Sequence, residues 1–177
     1  MPPLWVFAYG SLIWDPCFPF AAQHIARLTG WHRSFCMWSV RYRGTDADPG
    51  LVLALDRADG AVCDGVAFRV QAGCEDAALA ELRKRELISS AYLETILPVR
   101  LDTGEAVQAM VFVIDPAHTQ YAGRMTLPDQ AHIIARAHGM RGPNRDYLFA
   151  TADHLAAIGL RDTEMEALCA LVRDVPA

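Results

Sequence analysis

The sequence has no long apolar run, no basic run and no paired cysteine motif, and each absence removes a class of protein. The longest strongly apolar stretches, such as Met110 to Ile114, are far too short to cross a bilayer, so no membrane partner is expected. No Lys/Arg-rich segment offers a track for phosphates, and the net charge of -5 argues against nucleic acid as a partner. The five cysteines (Cys17, Cys36, Cys63, Cys74 and Cys169) are odd in number and scattered, without a C-x-x-C pair. That pattern reads as reduced thiols in a cytoplasmic protein, not as a disulfide framework or a zinc site. The six histidines show no H-E-x-x-H or comparable spacing, so no metal is expected. G-x-G-x-x-G and the P-loop are missing, as are internal repeats and low-complexity segments. Met1-Pro2-Pro3 leads straight into an apolar strand with no basic segment, and we read no signal peptide there.

What is present describes one globular domain over residues 1–177: 53% of the residues are hydrophobic and 21% charged. The first two-thirds read as strands at Trp5–Tyr9, Phe35–Tyr42, Leu51–Leu55, Val62–Val70, Leu93–Leu101 and Val107–Ile114. Turn signals at Asp48-Pro49-Gly50, Asp59-Gly60 and Thr103-Gly104 separate them. One helix interrupts the set from about Glu75 to Ile88, opening on two acids as the positive end of a helix favours. The last third changes to the helical period. Pro128 begins a helix that Gly139 ends, Asn144 is the expected N-cap of a second, and Asp162 caps a third with Met165, Leu168, Cys169 and Val172 on its apolar stripe. Strands first and helices last predict an α+β domain with an antiparallel or mixed sheet, open or closed into a barrel.

Two places carry chemistry that this outline does not absorb. At about 100° per residue, Glu86 falls about 20° from Leu79, inside the apolar arc of its helix, while Glu81, Lys84 and Arg85 lie outside it. A carboxylate turned inward needs a partner or a raised pKa; Arg83, at i−3, is the candidate partner, and a functional carboxylate is the alternative. The second place is Tyr9-Gly10-Ser11-Leu12, where an aromatic and β-branched run breaks. It reads either as a plain turn or as an anion nest whose N–H groups face a carboxylate or phosphate. The flanks are not those of a G-x-S-x-G elbow, which counts against Ser11 as a nucleophile.

Taken together, VFAYGSLIWDPCF (6–18), RGTDADPGLVLAL (43–55), GVAFRV (65–70), ELRKREL (81–87) and YAGRMTLPDQAHIIARAHGMRGPNRDYLF (121–149) resemble the ChaC-type γ-glutamylcyclotransferases, nearly end to end and in order. The resemblance implies a small mixed β-barrel flanked by helices with a helical C-terminal third. It implies release of 5-oxoproline and Cys-Gly from glutathione or a related γ-glutamyl compound, without metal or other cofactor. It also implies that Glu86, after Arg85, is the catalytic base and then acid, and that Tyr9, Gly10, Ser11 and Leu12 cradle the γ-glutamyl group. Tyr92 and Tyr147 match family tyrosines near the site, with core aromatics as the alternative, and Arg43 in Arg-Gly-Thr is either a partner for a substrate carboxylate or a strand-end arginine. One departure is LISSAY (87–92), where eukaryotic members usually carry Gly-Gly-Tyr after the Arg-Glu pair.

Overall fold

The structure, a computed structural model, describes residues 2–176. Strand β1 (Trp5–Ala8) is buried along its whole length, on both faces, and it is hydrogen-bonded on both edges. On one side it runs antiparallel to β3 (Gly50–Val70), with Trp5 opposite Arg69 and Ala8 opposite Val66. On the other it runs parallel to β5 (Ala106–Ile114), with Trp5 opposite Ala109. A strand enclosed in this way reads as an unbroken apolar run, as WVFA does. With β2 (Phe20–Ser39) and β4 (Tyr92–Leu101) the strands close into a mixed barrel in the order β1-β3-β2-β4-β5, which leaves no unpaired edge along the ring. Its interior is filled by Trp5, Phe7, Leu28, Leu55, Val99 and Val111 among others.

Two strands are longer than their sequence suggests. The strand expected at Phe35–Tyr42 is the second half of β2, which begins at Phe20 and stops at Ser39. The two strands expected on either side of Asp59-Gly60 are one, β3. Gly60 adopts a left-handed backbone (φ 79°) with open space where a Cβ would stand, so the strand passes through the turn signal by using the conformation glycine allows.

The chain divides into two compact units, Met1–Arg33 with Leu55–His118, and Ser34–Ala54 with Thr119–Ala177. The first holds helix α1 (Glu75–Glu86), which ends two residues before the expected Ile88, with Leu87 as its C-cap. The second holds α2 (Leu127–Arg136), the two-residue strands β6 (His138–Gly139) and β7 (Gly142–Pro143), α3 (Asn144–Ala157) and α4 (Thr163–Asp174). Helices α2, α3 and α4 pack on one another. Asp162 caps α4 as expected, its Oδ1 accepting from the Met165 N–H at 2.9 Å. Helix α2 stops at Arg136 rather than at Gly139, because residues 138–139 pair with 142–143.

Asn144 is not the cap of α3. Pro143 holds that position, and Asn144 is the first helical residue. Its fully buried amide instead serves Leu51: Nδ2 donates to the Leu51 carbonyl and Oδ1 accepts from the Leu51 N–H, both at 2.8 Å. The side chain thus does for Leu51 what a neighbouring strand would do. The fit is close, since a Cβ at Gly50 would lie 2.7 Å from Asn144 Oδ1 and collide with the Arg43 carbonyl.

Candidate active site

The break after β1 is a single turn of 3-10 helix, Ser11–Ile13. The Ile13 N–H donates to the Gly10 carbonyl at 2.9 Å, and the Asp15 N–H to the Ser11 carbonyl at 3.0 Å. The first N–H groups of such a turn have no acceptor within it. Those of Ser11 and Leu12 find none elsewhere among the described residues. Tyr9, just before the turn, is buried and committed to the barrel: its hydroxyl donates to the Phe112 carbonyl at 2.9 Å, and its carbonyl accepts from Arg33 Nη1 at 3.1 Å.

Helix α1 carries Ala78, Leu82 and Glu86 at successive i+4 steps, so Glu86 continues the row of the two buried residues. Its side chain is 16% exposed. Burial pushes its carboxyl above the ordinary range, and the Arg85 charge beside it offsets part of that rise. Arg83, the expected partner, is elsewhere. Its Nε and Nη2 donate to the two oxygens of Glu94 on β4, at 2.8 Å each. The neighbour of Glu86 is Arg85, whose Nε lies 3.5 Å from Glu86 Oε1.

Arg85 also joins the helix to the 3-10 turn. Its Nη2 donates to Ser11 Oγ at 2.8 Å, and its Nη1 to the Asp15 carbonyl at 2.7 Å and to Asp15 Oδ2 at 3.2 Å. The Cys17 thiol lies within the influence of the same group: Arg85 lowers its pKa, Asp15 and Glu86 raise it, and burial, the largest effect, keeps it above the ordinary value. Residues 10–12, Asp15, Arg85 and Glu86 therefore form one cluster. It sets open backbone donors near a desolvated carboxylate, as binding an anion and moving a proton require. Asp15 and Cys17 are not apparent from the sequence, since nothing local pairs position 85 with positions 11–17.

The family model described as ChaC-like protein matches residues 4–175. The chain belongs to the ChaC-like family. A ChaC-like relative, the glutathione-specific gamma-glutamylcyclotransferase of Escherichia coli (strain K12), is 38% identical over 175 residues, covering 99% of this chain and 75% of its own. Gamma-glutamylcyclotransferase 2-3 of Arabidopsis thaliana is 34% identical, over 97% of this chain and 89% of its own. The ChaC-like chain also shares its fold with a crystal structure of a yeast γ-glutamylcyclotransferase specific to glutathione. The TM-score is 0.86 at 22% identity, over 98% of this chain and 96% of that one.

The other residues singled out in this ChaC-like sequence are placed as follows. Tyr92 opens β4, half-buried, opposite Ile114. Arg43 and Tyr147 meet in the second unit, with the Arg43 guanidinium 5.7 Å from the centre of the Tyr147 ring. Arg43 Nη1 donates to the Arg141 carbonyl at 2.9 Å and the Pro143 carbonyl at 3.2 Å, and the Tyr147 hydroxyl accepts from the Leu53 N–H at 3.4 Å. Among the described residues no three His, Cys, Asp or Glu side chains are grouped as a metal site. Among the described residues no helix is long and apolar enough to cross a membrane.

Proposed function

We propose that this chain is a γ-glutamylcyclotransferase that converts glutathione to 5-oxoproline and Cys-Gly, with Glu86 as the proton carrier. The observation that carries the reading is the desolvated Glu86 carboxylate, joined through Arg85 to a turn with two open N–H groups. The names of the relatives support the substrate.

The reaction is an intramolecular acyl transfer. The α-amine of the γ-glutamyl group, with a pKa of about 8, is mostly protonated at neutral pH and cannot attack until a base removes its proton. In the proposed mechanism Glu86 takes that proton, the amine attacks the γ-carbonyl, and Glu86 returns a proton to the departing Cys-Gly amine. A carboxyl whose pKa is raised by burial is a stronger base than an ordinary one, so it takes the amine proton more readily and keeps it until the departing amine claims it. The open N–H groups of Ser11 and Leu12, with the Ser11 hydroxyl, hold the α-carboxylate and keep the chain bent, so that closing a five-membered ring meets little further entropic cost. Gly10 lets the backbone approach without a side chain, and Tyr9 anchors the turn to the barrel. Tyr92 and Tyr147 are proposed as substrate-side residues on the family resemblance alone, and Arg43 on its charge. The compartment proposed is the cytoplasm, where thiols stay reduced.

The test is incubation of the purified chain with glutathione, and separately with γ-Glu-Ala, followed by mass spectrometry of the products. Stoichiometric 5-oxoproline and Cys-Gly from glutathione support the reading. Turnover of γ-Glu-Ala alone would overturn the substrate, and turnover of neither would overturn the activity.

A further inference from the structure

The cyclotransferase reading assigns work to the turn and to Glu86 but leaves unexplained what holds them in register. One side chain touches both. Arg85 sits in the last turn of α1 and distributes its three nitrogens among different groups: Nη2 on Ser11 Oγ, Nη1 on Asp15, and Nε toward Glu86. The Asp15 carboxylate is 69% exposed and adds little. The Ser11 hydroxyl and the Asp15 carbonyl, at 2.8 and 2.7 Å, are the contacts that fix the turn.

We propose that Arg85 is a positioning residue that locks the Ser11–Ile13 turn to Glu86, setting both the aim of the Ser11 hydroxyl and the charge felt by the glutamate. The proposal rests on the cyclotransferase reading for its kinetic consequences, and on geometry alone for its structural ones.

Three features support it. Ser11 Oγ accepts from Arg85, so the hydroxyl proton is left to donate away from Arg85, toward an anion held by the turn. The 3.5 Å between Arg85 Nε and Glu86 Oε1 is longer than a strong charge-assisted hydrogen bond. Glu86 is therefore attracted without being tied down, and can still accept a proton. Finally, only a planar guanidinium spans the turn with two nitrogens while directing a third elsewhere; an ammonium has one nitrogen to offer. Arg83, two residues earlier, has the same side chain but is bound wholly to Glu94, and serves as the internal control.

The experiment compares the full chain with Arg85→Met, Arg85→Lys and Arg83→Gln, after circular dichroism has established that each is folded. The Glu86 carboxyl is titrated by 13C NMR, its resonance assigned by loss in Glu86→Gln, and the Ser11 amide is followed in the same samples. Arg85→Met is expected to move the Glu86 midpoint up and shift the Ser11 amide. Arg85→Lys should leave the midpoint near that of the parent while still shifting the amide, and Arg83→Gln should change neither. With glutathione, both Arg85 variants should raise KM about tenfold, the loss expected of one charge-assisted hydrogen bond, while kcat at neutral pH changes mainly in Arg85→Met. An unmoved Glu86 midpoint and Ser11 amide in Arg85→Met would overturn the proposal. If Arg85→Met does not fold, an unmoved amide and KM in Arg85→Lys would do the same. A parent chain that releases no 5-oxoproline would refute the cyclotransferase reading, and the NMR titration would still decide the positioning role.

Discussion

The Ser11 hydroxyl and the Arg85 guanidinium, 74 positions apart in the chain, meet at 2.8 Å. That bond brings the first turn after β1 to the end of α1, where Glu86 follows Arg85. A serine held in this way has a binding role in the proposed mechanism, and its hydroxyl can be removed without removing the backbone donors beside it. Ser11→Ala should therefore raise KM for glutathione about tenfold and change kcat little. Steady-state kinetics check this, and complete loss of turnover would instead make Ser11 a nucleophile.

Glu86→Gln keeps the shape of the side chain but removes the proton carrier. Release of 5-oxoproline should fall by about 10²–10⁴, with the far-ultraviolet circular dichroism unchanged. A rate within a few-fold of the parent would remove Glu86 from the mechanism.

The same substitution should stabilise the fold in a particular pH range. The folded-state pKa of Glu86 is raised, chiefly by burial, so the folded chain binds a proton that the unfolded chain has already released. Stability is therefore lost as pH rises from the ordinary glutamate value through the raised one, and the deficit is complete above it. Glu86→Gln carries no such charge. Its melting temperature should exceed that of the parent at pH 8, and the gap should close as the pH falls below the ordinary value. Thermal melts across that range read the effect directly.

Asn144 is the only asparagine in the chain, and both of its polar atoms are used on Leu51. Asn144→Ala leaves a buried N–H and a buried carbonyl without partners, at a cost of about 2–4 kcal/mol, measurable by urea unfolding. Asn144→Asp keeps the acceptor but sets an oxygen against the Leu51 carbonyl. Its loss should grow with pH as the carboxyl ionises.

Much of this arrangement is legible in the sequence where the cause is local. Trp5–Ala8 is an unbroken apolar run, Asp162 caps α4, and the helical count places Glu86 on the row of Ala78 and Leu82. Where distant groups compete, local signals mislead. Helical spacing offers Arg83 to Glu86, but Glu94 on the following strand takes its Nε and Nη2. Asn144 has the chemistry of a cap, but Leu51 claims its amide. Asp59-Gly60 has the composition of a turn, but the ladder of β3 runs through it. The first half of β2 escapes notice because polar residues such as Gln23, His24 and Thr29, together with Gly30, interrupt any apolar run, although Ala26 and Leu28 are buried.

The amide of Asn144 also bears on the order in which the chain assembles. The pair it makes with Leu51 spans 93 positions, and the first turn of α3 begins at the residue that makes it. Closing so long a loop is entropically slow, and contacts of this kind form late. The start of α3 therefore reaches its final geometry only after the beginning of β3 is available to receive it. In a chain leaving the ribosome Leu51 emerges well before Asn144, so this pair closes only once the first turn of α3 has been made.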